Sequence, residues 1–174
     1  MTEIKTRISH QANGRIAELL VEIELLKRGW LVANINNSIK NALAFDIISV
    51  IDSKKIGIRV KSFQQKHHGA QYNAKENLSP FINLQKKDDF VIIVRKNNNE
   101  TYDHFIIPTY IVDKQIKKDF NLFVSNGVKN GKWDKKTKTK EHKHRLLVFK
   151  TTRNKKGLED TWNKYMNNWD ILLK

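Results

Sequence analysis

Residues 43–62 read LAFDIISVIDSKKIGIRVKS, and this stretch decides the fold. Two apolar runs rich in β-branched residues, 43–51 and 56–62, flank the polar residues 52–55. Runs of this composition on either side of a short polar segment predict two strands joined by a turn. The stretch therefore predicts a β-hairpin at the centre of a sheet.

The register of this hairpin brings charged side chains together. If the turn is centred between Ser53 and Lys54, Asp46 lies opposite Lys61, and Ile48 lies opposite Arg59. Because side chains alternate along a strand, Asp46, Arg59 and Lys61 then share one face. The apolar residues of the other face are Phe45, Ile47, Ile58 and Val60. A cross-strand ion pair is the simplest interpretation, and a functional site is the alternative, since charges within apolar strands are costly without partners.

Further elements are predicted on both sides of the hairpin. They are a helix at 11–28, a strand at Trp30–Asn36, a loop at 63–80, strands at Asp89–Arg95 and His104–Pro108, a helix at Thr109–Lys118, a strand at Arg145–Phe149 and an amphipathic helix at 158–173. No repeat or linker divides the chain, so we expect one domain spanning 1–174. The order of elements predicts an α/β (α+β) fold, in which helices cover a sheet.

Apolar spacing supports the first and the last helix. In the first helix, helical spacing relates Ile16, Leu19, Leu20, Ile23 and Leu26. In the last, spacings of 4, 3, 4 and 3 relate Leu158, Trp162, Tyr165, Trp169 and Leu172. The second stripe predicts that the last helix packs on the core.

The charge of the chain favours polyanionic partners. It has 33 Lys and Arg residues against 18 Asp and Glu, and a net charge of +15. Such an excess favours nucleic acid, whereas a generally lysine-rich composition is the plainer explanation. An anionic membrane surface is less favoured, because no basic amphipathic helix stands out.

The most basic segment is 126–156, with 12 Lys or Arg residues against two acidic ones. Its lysines could bind phosphates, and an aromatic side chain could stack on a base. The candidates are Lys132, Trp133, Lys135, Lys136, Lys138 and Lys140. A solvated loop is the alternative interpretation. His67, His68, His142 and His144 could bind a metal in principle, but loop histidines among lysines are the simpler interpretation, because no carboxylate has ligand spacing.

The chain has no cysteine, which excludes disulfides and thiolate metal sites and fits a reducing compartment. No apolar run approaches the roughly 20 residues that span a bilayer, and residues 1–15 lack the apolar stretch of a secretory signal. We therefore expect a cytoplasmic protein without a membrane partner.

Several short motifs together resemble the PD-(D/E)xK nuclease superfamily. They are GRIAE at 14–18, GW at 29–30, FD at 45–46 and IRVKS at 58–62. The resemblance covers about residues 10–65 and is nearest to Holliday-junction-resolvase-like and small restriction-endonuclease-like members. It implies a restriction-endonuclease-like mixed central β-sheet flanked by helices, DNA as a partner and a homodimer.

The resemblance also implies roles for individual residues. Glu18 matches the helix acid and Asp46 the aspartate, both of which bind Mg²⁺ or Mn²⁺, while Lys61 matches the lysine that positions the attacking water. Arg59 stands where the family keeps an acid, and a guanidinium cannot bind a metal. Three outcomes stay open: Glu18 and Asp46 hold a weakly bound ion, Glu22 substitutes for the missing acid, or catalysis is lost.

Three functions are compatible with these residues. The first is a divalent-metal-dependent endodeoxyribonuclease, a hydrolase that uses Glu18, Asp46 and Lys61. The second is a catalytically inactive, DNA-binding member of the same fold with a regulatory or accessory role, in which Arg59 contacts a phosphate. The third is an interaction domain for an acidic protein. Oxygen ligands beside Asp46 would favour the first, and salt-sensitive DNA binding would oppose the third.

Overall fold

The computed structural model describes residues 2–35, 45–67, 69–73, 89–129, 144–149 and 157–174. Its helices and strands are α1 (Thr2–Lys27), β1 (Leu31–Asn34), β2 (Ile47–Ile51), β3 (Lys54–Gln64), β4 (Gly69–Asn73), β5 (Asp89–Lys96), β6 (Tyr102–Pro108), α2 (Thr109–Lys129), β7 (His144–Val148) and α3 (Glu159–Trp162). Short 3₁₀ turns cover Gln65–His67, Asn163–Tyr165 and Trp169–Leu173. No helix in these ranges is long and apolar enough to span a bilayer.

A five-stranded sheet forms the centre of the fold, in the order β1-β2-β3-β5-β6. Strand β3 runs parallel to β5, and the other neighbouring pairs are antiparallel. A second, two-stranded sheet pairs β4 with β7. The sheet is therefore mixed and flanked by helices, which confirms the α/β (α+β) fold class.

Alternation along the strands places one hydrophobic core on each face of the main sheet. On β5, Ile92 and Val94 belong to the core that includes α1, whereas Val91 and Ile93 belong to the core that includes α2. We call these the α1-side core and the α2-side core. Residues of β5 are almost entirely buried, as expected for a strand covered on both faces.

The hairpin of β2 and β3 differs in register from the prediction. Ile47 pairs with Ile58, and Ile48 pairs with Gly57 rather than with Arg59. The turn consists of only two residues, because Lys54 and Lys55 already belong to β3, and its first residue, Asp52, adopts a φ of 50°. This slip moves each strand residue by two positions relative to its partner, so the strand side chains keep their predicted faces. Phe45, which precedes β2, is the exception, because it packs against the α2-side core instead of lying beside Ile47.

Of the apolar residues spaced along α1, Leu20 packs against the α1-side core, whereas Ile16, Leu19, Ile23 and Leu26 are exposed. Ala17, Val21 and Leu25 are buried in the α1-side core, together with Ile47 and Ile58. The helix also begins earlier than residue 11, at Thr2. Its polar first turns contain no proline, so nothing in that sequence prevents a helix.

The chain after residue 157 is not one continuous helix. Short helical segments are separated near Met166, which is extended, and Asn167, which has a φ of 52°. The whole predicted apolar stripe is nevertheless buried: Leu158, Trp162, Tyr165, Trp169 and Leu172. This segment also covers the outer edge of β6. Phe105 forms a bridge with Met166, and Asn167 exchanges hydrogen bonds with the backbone of His104.

Two further predictions differ from the structure. The stretch 63–80 contains more than loop, since β3 continues to Gln64 and β4 follows at Gly69–Asn73. Helix α2 extends well beyond the predicted end at Lys118, to Lys129. The basic candidates within 130–143 lie outside the described residues.

Candidate functional site

Asp46 lies immediately before β2 and is almost completely buried. Its N–H donates to the carbonyl of Ile58 at 2.9 Å, and its carbonyl accepts from the N–H of Ile35 at 2.9 Å. Its carboxylate Oδ2 accepts a hydrogen bond from the backbone N–H of Val60 at 2.7 Å. Just before β2, the Asp46 carboxylate thus accepts a hydrogen bond from a β3 amide that would otherwise bond to a backbone carbonyl. This hydrogen bond holds the carboxylate against β3.

Arg59 forms an ion pair with this carboxylate. Its Nε lies 3.5 Å from Oδ2 of Asp46, and the two side chains are 28% and 9% exposed. The two-residue turn explains why Arg59 is the partner of Asp46. When the observed register is continued by one residue, Asp46 lies beside Arg59 rather than beside Lys61. A guanidinium has five N–H donors, so Arg59 can face Asp46 and still offer donors toward solvent.

Lys61 lies two residues further along β3, on the same face as Arg59. Burial lowers the pKa of its ammonium, the positive charge of Arg59 lowers it further, and Asp46 opposes both effects. Lysines whose pKa is lowered by burial and a neighbouring charge occur often at functional sites, although structural ion pairs produce such shifts too. Lys61 can therefore act as a hydrogen-bond donor that releases its proton more easily than a free lysine.

The face of the sheet that carries this cluster is not solvent-facing but packs against the α2-side core. Phe63 follows on the same side of β3 and belongs to the α2-side core, as do Val91 and Ile93 of β5. The cluster is therefore a partly buried polar site at the margin of a hydrophobic layer. Such surroundings exclude water and strengthen electrostatic interactions.

A second buried acid on this face was missed from the sequence. Asp89 begins β5, is 4% exposed and pairs with Gly57 of β3. A Cβ at Gly57 would lie 2.9 Å from Oδ1 of Asp89 and 2.1 Å from the ring of Phe45. Because Gly57 has no side chain, the Asp89 carboxylate and the Phe45 ring both have space above β3. In the sequence, its only indication was an acidic residue at the first position of an otherwise apolar strand.

Glu18 and Glu22 lie on α1, which packs against the other face of the sheet. The side-chain amide of Asn34 donates to Oε2 of Glu18 at 3.2 Å and to Oε1 of Glu22 at 2.6 Å. Arg15 forms ion pairs with both carboxylates, at 3.0 and 3.3 Å. Asn34 directly precedes Ile35, whose N–H contacts Asp46. The structure brings Asp46, Arg59 and Lys61 together, and the convergence of Glu18 with them stays a prediction.

Metal ligands are sparse around this cluster. Within the described ranges, no group of three or more His, Cys, Asp or Glu side chains is arranged to hold a metal ion. His67 is exposed on a 3₁₀ turn, and His144 begins β7 instead of lying in a loop. His68 and His142 fall outside those ranges. Asp46 is thus the candidate ligand at the β2–β3 cluster itself.

Comparisons with known proteins agree with the architecture. No protein-family model matches the chain, and no curated protein sequence matches it significantly. Among solved structures, it is similar to a bacterial homing endonuclease, I-Ssp6803I, with a TM-score of 0.50 and 15% sequence identity. The likeness covers 94% of this chain and 90% of that chain. At this identity the likeness shows a shared fold alone.

Proposed function

We propose that this protein binds DNA and acts as an endonuclease of the PD-(D/E)xK type, hydrolysing phosphodiester bonds at the Asp46, Arg59 and Lys61 cluster with a divalent metal. The observation that carries the proposal is the cluster itself. An anchored carboxylate lies 3.5 Å from a guanidinium, with a second cation on the same face of β3, within a nuclease-like fold.

DNA is the partner that the charge of the chain favours. The net charge of +15 attracts a phosphate backbone over a long range, and Arg59 offers a partly exposed guanidinium that can bind a phosphate through two N–H groups. The lysines and Trp133 of the basic segment 126–156 would add contacts to the backbone and bases. This supports a nucleic acid rather than a neutral substrate.

The chemistry of the residues present fits a site with few protein ligands. Mg²⁺ commonly keeps several waters and takes one or two carboxylates plus substrate phosphates. Asp46 would supply one carboxylate, and the further candidates are Glu18 of α1, which the Asn34 side chain contacts, and Asp89 at the start of β5. When bound, the ion would polarise the phosphate and lower the pKa of a coordinated water. Arg59 would weaken its binding by repulsion, and Mn²⁺ could replace Mg²⁺.

The remaining roles follow from the charges and contacts of β3. The Val60 N–H fixes the Asp46 carboxylate at 2.7 Å, so its position needs no further ordering when substrate arrives. Lys61, with its lowered pKa, would hydrogen-bond the attacking water and a phosphate oxygen. Arg59 would neutralise charge on the phosphate as it develops in the transition state.

A nicking assay on supercoiled plasmid and branched DNA tests this function. Wild type is compared with Asp46→Asn and Lys61→Met at low salt with Mn²⁺ or Mg²⁺. Lys55→Met, an exposed lysine at the turn end of β3, is the matched control. We expect slow nicking that falls at least about 100-fold in both site variants and persists in the control. Nicking that survives Asp46→Asn would exclude this site.

A catalytically inactive DNA-binding protein of the same fold is the second candidate. The observation that favours it is the contact between Asp46 and Arg59, since Oδ2 of Asp46 already faces a guanidinium and a backbone N–H. In this case Arg59 and Lys61 would bind phosphate without cleavage. Wild type would then bind DNA without nicking it, and Arg59→Glu would gain nicking. Efficient nicking by wild type that Arg59→Glu abolishes would instead make Arg59 part of a working site.

A further inference from the structure

A cavity of about 390 Å³ lies between α1 and residues of β3, β4, β5 and β6. It is found at the carboxyl ends of the parallel strands β3 and β5, whose last residues, Gln64 and Lys96, both line it. Its volume falls within the range of small-molecule sites, which is roughly 300–1,000 Å³. Ligands of sheets with parallel strands commonly bind beyond these carboxyl ends. We call this space the α1 cavity.

The α1 cavity is separate from the charged cluster of β2 and β3. Ser62 and Gln64 line the cavity, and alternation along β3 directs them to the face opposite Lys61. Val94 of β5 also lines it and belongs to the α1-side core. The cavity therefore lies chiefly on the α1 side of the sheet, whereas the cluster lies on the α2 side.

Four uncharged polar side chains of the cavity have open hydrogen-bonding groups. Asn13, Gln64 and Gln71 contribute amides, and Ser62 contributes a hydroxyl. In the part of the chain that the structure describes, none of these four side chains forms a hydrogen bond with another residue. Each amide has two N–H donors and an oxygen acceptor. The cavity thus offers several donors and acceptors within one small space.

The charges around the cavity lie at its rim. Within the described residues no carboxylate lines it, so its walls do not favour a metal ion. The ammonium of Lys96 forms an ion pair with Glu100 at 2.5 Å. His67 lines the cavity and follows Lys66 on the exposed 3₁₀ turn after β3. The interior therefore suits an uncharged group that forms hydrogen bonds, and the turn suits an anion attached to that group.

Apolar surface completes the lining. Ala17 and Val94 are buried residues of the α1-side core, and Tyr102 packs against that core. A flat group that enters the cavity can contact the Tyr102 ring and this apolar surface with its faces. Its edge can meanwhile reach the amides. The lining thus favours a ligand with flat apolar faces and a polar edge.

We infer that the α1 cavity binds a single nucleobase, with the attached phosphate near Lys66 and His67. A base has π-faces that stack on aromatic side chains, and its edge carries adjacent donors and acceptors. Amides of Asn and Gln match the edge of adenine, where they pair with N6 and N7 together. Adenine is therefore the favoured base.

The base must be unpaired, because its edge is the part that the amides contact. A free nucleotide and an unpaired base within a strand present the same chemistry. If a strand supplies the base, the inference rests on the DNA binding proposed above. In neither case does it depend on cleavage, since the cavity and the charged cluster are separate.

Titration calorimetry with AMP, in EDTA and without divalent metal, tests the inference. We expect saturable binding to the wild-type chain. Ribose 5-phosphate has the sugar and the phosphate but no base, and it should bind at least about tenfold more weakly because it cannot stack. If ribose 5-phosphate binds as tightly as AMP, the chain recognises the phosphate alone and the inference is overturned.

Asn13→Leu and Gln64→Leu test the lining. Each replaces an amide by an apolar side chain of similar size and leaves a polar group of the base unpaired, so binding should weaken about tenfold. Gln11→Leu is the matched control, since it makes the same change at an exposed position of α1 outside the cavity. Circular dichroism melting shows that each variant is folded. Binding that both cavity variants leave unchanged contradicts the assignment.

A single-stranded oligonucleotide with one 2-aminopurine distinguishes the two sources of the base. A base held in the cavity should be protected from fluorescence quenching by acrylamide, and Gln64→Leu should remove that protection while Gln11→Leu retains it. Protection in wild type assigns the cavity to a base in a strand, and AMP binding without protection assigns it to a free nucleotide. The absence of both overturns the inference. Because no metal is present, these outcomes are independent of whether the protein cleaves DNA.

Discussion

Arg59→Glu separates the two roles that Asp46 can have, as an ion-pair partner and as a metal ligand. At 3.5 Å between Nε and Oδ2, two unit charges attract by about 4–5 kcal/mol at an effective dielectric constant near 20. Because Arg59 is more than a quarter exposed, the net contribution is on the order of 1–2 kcal/mol. Replacing the cation by an acid adds repulsion. Without metal, the free energy of unfolding should fall by roughly 2–4 kcal/mol, and Tm by about 4–16 °C.

Divalent metal should reverse this loss in Arg59→Glu. A ligand at about 100 times its Kd adds about 2.7 kcal/mol to the free energy of unfolding, which corresponds to roughly 5–11 °C in Tm for a chain of this length. Wild type should gain much less, since Arg59 repels the ion. Thermal unfolding with Mn²⁺ or Mg²⁺ measures both effects, against NaCl at matched ionic strength.

Two control variants make this test specific. Arg59→Met removes the cation without adding a ligand, and Arg59→Glu combined with Asp46→Asn removes one of the two carboxylates. Both should show a smaller metal response than Arg59→Glu. If Arg59→Glu melts like wild type and gains nothing from metal, positions 46 and 59 do not form a shared site. If wild type gains as much as Arg59→Glu, the competition between guanidinium and metal is refuted.

Three further predictions concern DNA, the core and pH. Duplex DNA affinity should fall steeply with salt, with a log–log slope of about −0.9 for each phosphate contacted, and a binding curve insensitive to salt between low and moderate concentrations would contradict it. Trp162→Ala and Trp169→Ala should each lower the free energy of unfolding by roughly 3–5 kcal/mol in urea titrations, because both rings are buried, whereas Tyr110→Ala should change it little. Burial is the main cause that lowers the pKa of His104, whose Nε2 is buried without a hydrogen bond in the described contacts. The unfolded state then binds more protons, so stability should fall as pH drops from about 6.5 toward the lower folded pKa, and His104→Gln should remove that part of the pH dependence in melting curves.

The sequence predicted the position of the hairpin well and its register poorly. Alternating apolar residues fix which face each side chain occupies, and a slip of two positions leaves those faces unchanged. This is why Asp46, Arg59 and Lys61 were correctly grouped on one face. The length of the turn was not determined, since Lys54 and Lys55 are equally acceptable in a turn or at an exposed strand end. The neighbour of Asp46 was therefore misassigned.

Other misses arose where local patterns are ambiguous. Helix α1 has apolar residues on two faces, so apolar spacing alone does not determine which face packs on the sheet. Strand β4 is polar and short, and only its distant partner β7 makes it a strand. Asp89 was missed because its place beside Gly57 depends on the parallel pairing of β3 with β5, which no local pattern reveals.

The C-terminal residues were predicted to be buried, and they are, although not in one helix. The spacing of 4, 3, 4 and 3 places side chains on one side of any helical path, continuous or interrupted. The interruption depends on Asn167, because Asn tolerates a positive φ better than most residues do. Burial could thus be inferred from spacing, whereas continuity of the helix could not.

The cover that Met166 and Asn167 place over β6 has a consequence for the behaviour of the chain in concentrated solution. An uncovered strand edge presents unpaired N–H and C=O groups that can recruit another chain, which is a common start of aggregation. Strand β6 contains the apolar, β-branched residues Phe105, Ile106 and Ile107. Met166 and Asn167 therefore occupy edge groups of β6 at Phe105 and His104, and a substitution or truncation that displaces them would leave those backbone groups free to pair with another chain.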